Sequence, residues 1–566
     1  MTWQDLATAK RKSLLDAFPV QWRLLPSQTP PSSRLADVTG FIRQHLDPAE
    51  LNITDASADT IIERLRSGDL SATEVTRAFC HRAALAHQLT NCLSEVFFDS
   101  ALQRAAELDH HFQTTGQTVG PLHGLPVSLK DRFNIAGIAS ACGYVSWLDH
   151  IATVQDEGTL VRKLRAAGAV LFVKTNVPMS LLMGETSNNI IGSTCNPYNR
   201  RLSAGGASGG EGALLALRGS PLGWGSDIAG SVRIPCAFNN LYGLRPSCGR
   251  LPASGMATSL PGLPVAQSVI GPMATSLDVL TSATKWIINE HCWRDEFEAL
   301  DLPWNEPAYQ ATRARKCRPG ARDGKLVFAL MLSDGDVRPH PPVLRALRMV
   351  AAALRQRGYE VIDWTPPPHG AAATTLFQLF GSTAGATVRA ALDASGEPPV
   401  HQLRGWYGSH PSSTSSDAAD FWALCAARDG LRQAYHEHWE KTTVGGRAVD
   451  GVVLPVAPSA AVEEGFFHHF AYTAVASCLD YAAGCVPVTF ADAAVDVGEV
   501  GYGPLNQEDR RHWRTYQKEL FDGAPVGVQV MGRRLQEEKV LAMMEAVAEA
   551  LREFEPDGGV AAVGGF

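Results

Sequence analysis

The stretch from Ser203 to Cys236 reads Ser203-Ala-Gly-Gly-Ala207-Ser208-Gly-Gly-Glu-Gly212, a short apolar run, and then Gly225-Ser-Asp227-Ile-Ala-Gly-Ser231-Val-Arg233-Ile-Pro-Cys236. It sets down two glycine-flanked turns, each carrying a serine. Upstream, Gly120-Pro-Leu-His-Gly-Leu-Pro-Val-Ser-Leu-Lys130-Asp131 ends an apolar run on a lysine. Glycine permits backbone conformations closed to other residues. A lysine together with serines on tight turns suits serine-nucleophile chemistry that needs no histidine.

The first turn has three further readings. A flexible linker would not run straight into the apolar, helix-prone segment 211–217, so the glycines open a helix. A phosphate loop needs Lys-Ser/Thr after its last glycine, and Glu211 stands there. Gly206-Ala-Ser208-Gly-Gly210 fits the G-x-S-x-G elbow, but that elbow needs a strand directly before it. Segment 196–203 reads as polar turn sequence instead.

In the second turn, small residues at 229 and 230 let successive backbone N–H groups converge beside the Ser231 hydroxyl, as an oxyanion hole requires. Asp227 and Arg233 are expected to pair and hold the turn. Lys130 follows strand-like residues, and a desolvated lysine has a lowered pKa that lets its neutral amine act as a base.

Around these motifs lies an ordinary globular composition. The chain has 566 residues, 45% hydrophobic and 19% charged, enough for a large core. A net charge of −8 argues against nucleic acid or an anionic membrane as the main partner. No stretch reaches the roughly 18 apolar residues of a membrane-spanning helix, and the N-terminus has no secretory pattern. Eleven cysteines without a CxxC pair, and without a histidine-rich cluster, argue for reduced thiols, a cytoplasmic location and no zinc site. The seventeen histidines offer no alternative catalytic centre.

The pattern predicts an amphipathic helix over 2–23, a loop over 26–33, and helices from just after Thr54-Asp55 through Arg66, over 71–87 and over 99–114. The third of these helical stretches starts with the capping-box spacing Ser71 to Glu74. Together they form an all-helical N-terminal layer, 1–115, packed on a core of 116–566. In the core, strands are expected at 126–130, 169–173, 325–332, 359–364, 451–456 and 525–529. Helices are expected at 158–167, 342–357 and 536–554, with glycines at 168 and 358 as stops. A serine-rich surface loop is expected at 408–417 and a frayed tail from 558. Strands alternating with helices argue for an α/β fold with a partly parallel sheet covered on both faces.

The segments Gly120–Asp131, Lys174-Thr-Asn176, Gly205–Gly212 and Gly225–Pro235, in that order, resemble the amidase signature family. Thr90-Asn-Cys-Leu-Ser-Glu-Val-Phe-Phe98 is similar to its fungal acetamidase-type and fatty acid amide hydrolase-like members. Leu479-Asp-Tyr481, Val486-Pro-Val488 and Pro525-Val-Gly-Val-Gln529 resemble its C-terminal part, so the likeness covers nearly the whole chain. It implies a twisted mixed sheet and hydrolysis of a carboxylic amide without metal or organic cofactor. Lys130 matches the base and Ser231 the acylated serine. Ile228, Ala229, Gly230 and Ser231 match the oxyanion-hole backbone, and Leu181 and Met183 match the lining of the substrate pocket.

The family's relay serine, which follows a cis peptide, falls on Ala207; Ser208 matches its second serine, with Asp227 and Arg233 in support. Alanine cannot pass a proton. The residue is then a substitution in a chain that normally has serine, a natural difference with Ser208 or a water taking over, or a sign of lost catalysis. The first is favoured because every other motif residue is in place. Rival readings are acyl transfer to another acceptor, a non-catalytic amide-binding protein, and an amidotransferase subunit. A homodimer is a family-level expectation, and segments 365–445 and 462–525 are expected to carry specificity.

Overall fold

The computed structural model describes the chain apart from residues 30, 32, 316–323, 405–414, 445 and 555–566. The expected serine-rich loop falls largely, and the expected tail wholly, outside the described residues.

Helices dominate the first hundred residues. Trp3–Asp16 is capped by a reciprocal Thr2–Asp5 box and ends before Pro19, shorter than the 2–23 pattern suggests. Ala72–Thr90 starts at the expected Ser71–Glu74 box and closes on Asn91 in the left-handed conformation. The layer is not all-helical, however. Leu93–Val96 forms strand β1 and pairs antiparallel with β3, Val170–Thr175. Four residues between two long helices carry too little period-2 signal to show as a strand.

The core strands follow in chain order. β2 is Pro126–Lys130. β4 (Cys195–Asn196) and β5 (Asn199–Ser203) form a separate hairpin where polar turn sequence was expected. β6 is Gly223–Asp227, β7 Tyr242–Arg245, β8 Val269–Ala274, β9 Val327–Leu330 and β10 Glu360–Asp363. β11 (Thr443–Val444) and β12 (Arg447–Ala448) make a second small hairpin. β13 is Gly451–Pro455, β14 Ala483–Phe490 and β15 Pro525–Met531.

Eleven of these build one sheet in the order β1-β3-β2-β6-β8-β7-β14-β15-β13-β9-β10. It is parallel toward both ends, at β3-β2-β6 and β13-β9-β10, and antiparallel through the middle. The helix–glycine–strand punctuation holds. Thr159–Ala166 leads through Gly168 at φ +86° into β3, and Pro341–Gln356 through Gly358 at φ +78° into β10. Helices Pro341–Gln356 and Glu537–Arg552 pack on each other and on the central strands β14 and β15. One apolar core runs from Phe18 to Leu551.

Three neighbouring strand ends matter for function. β2 delivers Lys130, β3 runs beside it, and β6 leads directly into the turn that carries Ser231.

Candidate active site

Asp227, the last residue of β6, organises the second turn. Its carboxylate accepts the Gly230 N–H at 2.7 Å and the Val232 N–H at 3.2 Å. Arg233 closes on it with Nε and Nη2, both at 3.0 Å, and both side chains are fully buried. Burial alone would raise the Asp227 pKa, but Arg233 outweighs it and keeps the carboxylate ionised. Arg233 also reaches Gln529 at 2.9 Å and Ser477 at 3.3 Å, which locks the guanidinium between β15 and the helix Ala471–Leu479.

Gly230 sits at φ +128°, and a Cβ there would lie 2.4 Å from Thr473 Oγ1. That threonine hydroxyl donates to the Ala229 carbonyl at 2.6 Å. With the carbonyl held on one side, the N–H groups of Ile228, Ala229 and Ser231 meet no acceptor among the described residues. Of the four N–H groups expected to face an oxyanion, that of Gly230 is engaged by Asp227. Ser231 is 8% exposed. Its carbonyl accepts the Ser208 N–H at 3.1 Å, while its hydroxyl bonds to no described residue.

The first turn is pressed against its neighbours. A Cβ on Gly206 would lie 2.5 Å from the Glu185 carbonyl oxygen, so only glycine permits this approach. The Gly206–Ala207 peptide is cis, and Ala207 is fully buried. The helix Gly209–Ala216 then begins, as the glycine pattern predicts. Ser208 turns its hydroxyl toward the Ser226 backbone, with both the carbonyl and the N–H of Ser226 at 3.4 Å. It makes no hydrogen bond to Lys130.

Lys130 is 1% exposed at the end of β2. Its Nζ donates to Ser226 Oγ at 3.0 Å and to the Ser226 carbonyl at 3.3 Å. Burial, and after it the nearby Arg132 guanidinium, hold the amine well below its ordinary pKa. Close by, burial pushes the Glu211 carboxyl up to about 7, although the hydroxyls of Ser128 and Thr175 donate to it.

Ser226, Arg132, Glu211 and Thr473 were given no role by sequence reasoning. Ser226 left one signal, since it lies inside the second motif. Only the parallel register of β2 on β6, with Leu129 opposite Trp224, brings Lys130 to it.

A known family shows the same arrangement of motifs. The family model described as Amidase matches residues 74–541. An acetamidase of Aspergillus oryzae is 39% identical over 97% of this chain and 99% of its own length. An acetamidase of Emericella nidulans is likewise 39% identical, over 97% of this chain and 98% of its own. A solved fatty acid amide hydrolase superposes with a TM-score of 0.89 at 32% identity, covering 97% of this chain and 95% of its own.

The chain belongs to the amidase family.

In this amidase the two turns back onto separate apolar patches. Ala207, Leu181 and Met183 share one with Cys142, Tyr144 and Val388. Ile228 and Ala229 share another with Leu376, Phe377, Phe380 and Phe470. Both segments expected to carry specificity thus supply side chains beside the amidase turns. A cavity of about 400 Å³ is lined by Ile228, Arg132, Leu260 and Leu263. A larger cleft of about 1380 Å³ lies at Phe466, Arg511 and Arg514 and contains none of the site residues. No helix among the described residues is long and apolar enough to cross a membrane.

Proposed function

We propose that this amidase cleaves a carboxylic amide through an acyl-enzyme on Ser231, and that alanine at 207 makes it slow. One observation carries the reading. A buried lysine whose surroundings favour its neutral form is hydrogen-bonded to Ser226, on the strand that runs into the Ser231 turn.

In this scheme the Ser231 oxygen adds to the amide carbonyl, and its proton ends on the Lys130 amine. The carbonyl oxygen becomes negative, facing the N–H groups of Ile228, Ala229 and Ser231. Such donors are typically worth 10²–10³-fold each. The C–N bond then breaks, the amine leaves with a proton, and water hydrolyses the ester on Ser231.

The relay between Ser231 and Lys130 is the weak link. The Ser208 hydroxyl is turned to the Ser226 backbone, which argues against its standing in at 207. A missing general acid–base group typically costs about 10²–10⁴-fold. The alanine is also the one observation that favours a second reading, a non-catalytic amide-binding protein.

A fluorophosphonate probe separates the two. Under the proposal, Ser231 is modified slowly in the native chain and much faster in Ala207→Ser, and Ser231→Ala takes no label. Absence of label on Ser231 in both native and Ala207→Ser proteins would leave the binding reading. Adding a competing amine and identifying the acyl product distinguishes hydrolysis from acyl transfer.

A further inference from the structure

Two basic side chains, two residues apart on and just after β2, converge on one hydroxyl. Lys130 Nζ donates to Ser226 Oγ at 3.0 Å, and Arg132 Nη1 donates to the same oxygen at 3.3 Å. Their nitrogens therefore lie within about 6 Å of each other. Arg132 is 5% exposed. Its other partners are the Ser268 hydroxyl at 2.8 Å and the Ala257 carbonyl at 3.0 Å. Among the described residues no carboxylate pairs with it.

The remaining groups facing Lys130 are Asp227, Cys142 and Glu211. Asp227 spends its charge on Arg233. Burial pushes the Cys142 thiol up to about 12, so it is neutral at working pH. Glu211 titrates near 7 and takes hydroxyl donors from Ser128 and Thr175. Glu211 is therefore partly ionised at neutral pH, and Arg132 is the neighbouring positive charge that no carboxylate among the described residues pairs with. Burial draws its own pKa down to about 10, which leaves it cationic at neutral pH. It also lines the cavity that reaches Ile228.

We propose that Arg132 is a positioning residue that keeps the Lys130 amine uncharged, acting across the Ser226 hydroxyl that the two side chains share. The inference rests on the reading of Lys130 as the base for Ser231. A positive charge near an amine disfavours its protonated form. The sign follows: removing the charge raises the Lys130 pKa, so a higher pH is needed to reach the free base. A unit charge at about 6 Å in a medium of effective dielectric ~20 shifts a pKa by roughly one to two units.

The test is the pH dependence of Ser231 modification by a fluorophosphonate, measured in the native chain and in Ala207→Ser. In Arg132→Gln the rising limb should move up by about one to two pH units, a 10–100-fold loss at pH values below both limbs, with the plateau recovered at high pH. Arg132→Lys, which keeps the charge, should retain the original limb. Should Arg132→Gln fail to fold, Ser268→Asp sets a carboxylate beside the intact guanidinium, and the limb should move in the same direction.

A limb that stays in place in a folded, neutralised variant overturns the inference and leaves the Ser231 reading standing. A pH-independent drop shared by Arg132→Gln and Arg132→Lys overturns it too, because it reports a purely structural role. Failure of Ser231 to react in proteins that keep Arg132 overturns both.

Discussion

Ala207→Ser adds one oxygen to a fully buried side chain, and its consequence can be worked from the Lys130 contacts. A neutral amine has two N–H groups and one lone pair. Lys130 makes two hydrogen bonds, to Ser226 Oγ and to the Ser226 carbonyl, which use both N–H groups. The lone pair is left to accept a proton. A hydroxyl at 207 donating to it would complete a path from Ser231 to the base. General acid–base assistance is typically worth about 10²–10⁴-fold, or about 3–5 kcal/mol of barrier.

A buried hydroxyl without a partner costs about 1–3 kcal/mol, so a small change in Tm would itself indicate that the new group is bonded. The assay is release of ammonia from acetamide, or of the aromatic amine from an anilide, with kcat and KM determined separately. The expected outcome is at least a hundredfold rise in kcat, with KM changed by no more than about threefold, because a relay acts in the transition state. Lys130→Ala in the same background should return the rate to the native level. Equal rates for the native and Ala207→Ser proteins would refute the relay assignment.

Two further outcomes are expected. Gly230→Ala would place a methyl 2.4 Å from Thr473 Oγ1 at a backbone φ of +128°, displacing the turn; Ser231 modification in the Ala207→Ser background should slow by at least about a hundredfold. For His469, burial by itself lowers the pKa, but Asp334 at 2.6 Å and Glu508 at 2.9 Å override it and raise it to about 9. The folded chain then holds a proton between pH 6.5 and 9 that the unfolded chain lacks, so the contribution is full below about 6.5 and lost as pH rises through 9. His469→Gln should lower Tm clearly at pH 6, with the gap to the native protein closing above pH 9; a gap independent of pH would refute the assignment.

Much of the fold was legible where one local rule acted alone. The Ser71–Glu74 box, the stops at Gly168 and Gly358, and the apolar runs at β2 and β15 each mark an element within a few residues of its observed ends. Where local signal conflicts with context, the reading fails. β6 reads Gly-Trp-Gly-Ser-Asp, poor strand sequence, yet it is a central strand because it pairs with β2 on one side and β8 on the other. β1 and the hairpin β4–β5 escaped for the same reason.

The site divides along the same line. Sequence by itself determined which residue types stand in which turns: a lysine after a strand, glycines that allow close approach, Ser231 after small residues, and alanine rather than serine at 207. It also determined the Asp227–Arg233 pairing, since six residues span a single turn. Tertiary structure alone decided what Lys130 touches, because Ser226 is remote in sequence and arrives only through the register of parallel strands. It alone decided that the Gly230 N–H is taken by Asp227. And it alone decided the charge on the lysine. A side chain's identity is written locally, but its protonation depends on burial and on neighbouring charges such as Arg132, which the folded chain brings to the same hydroxyl.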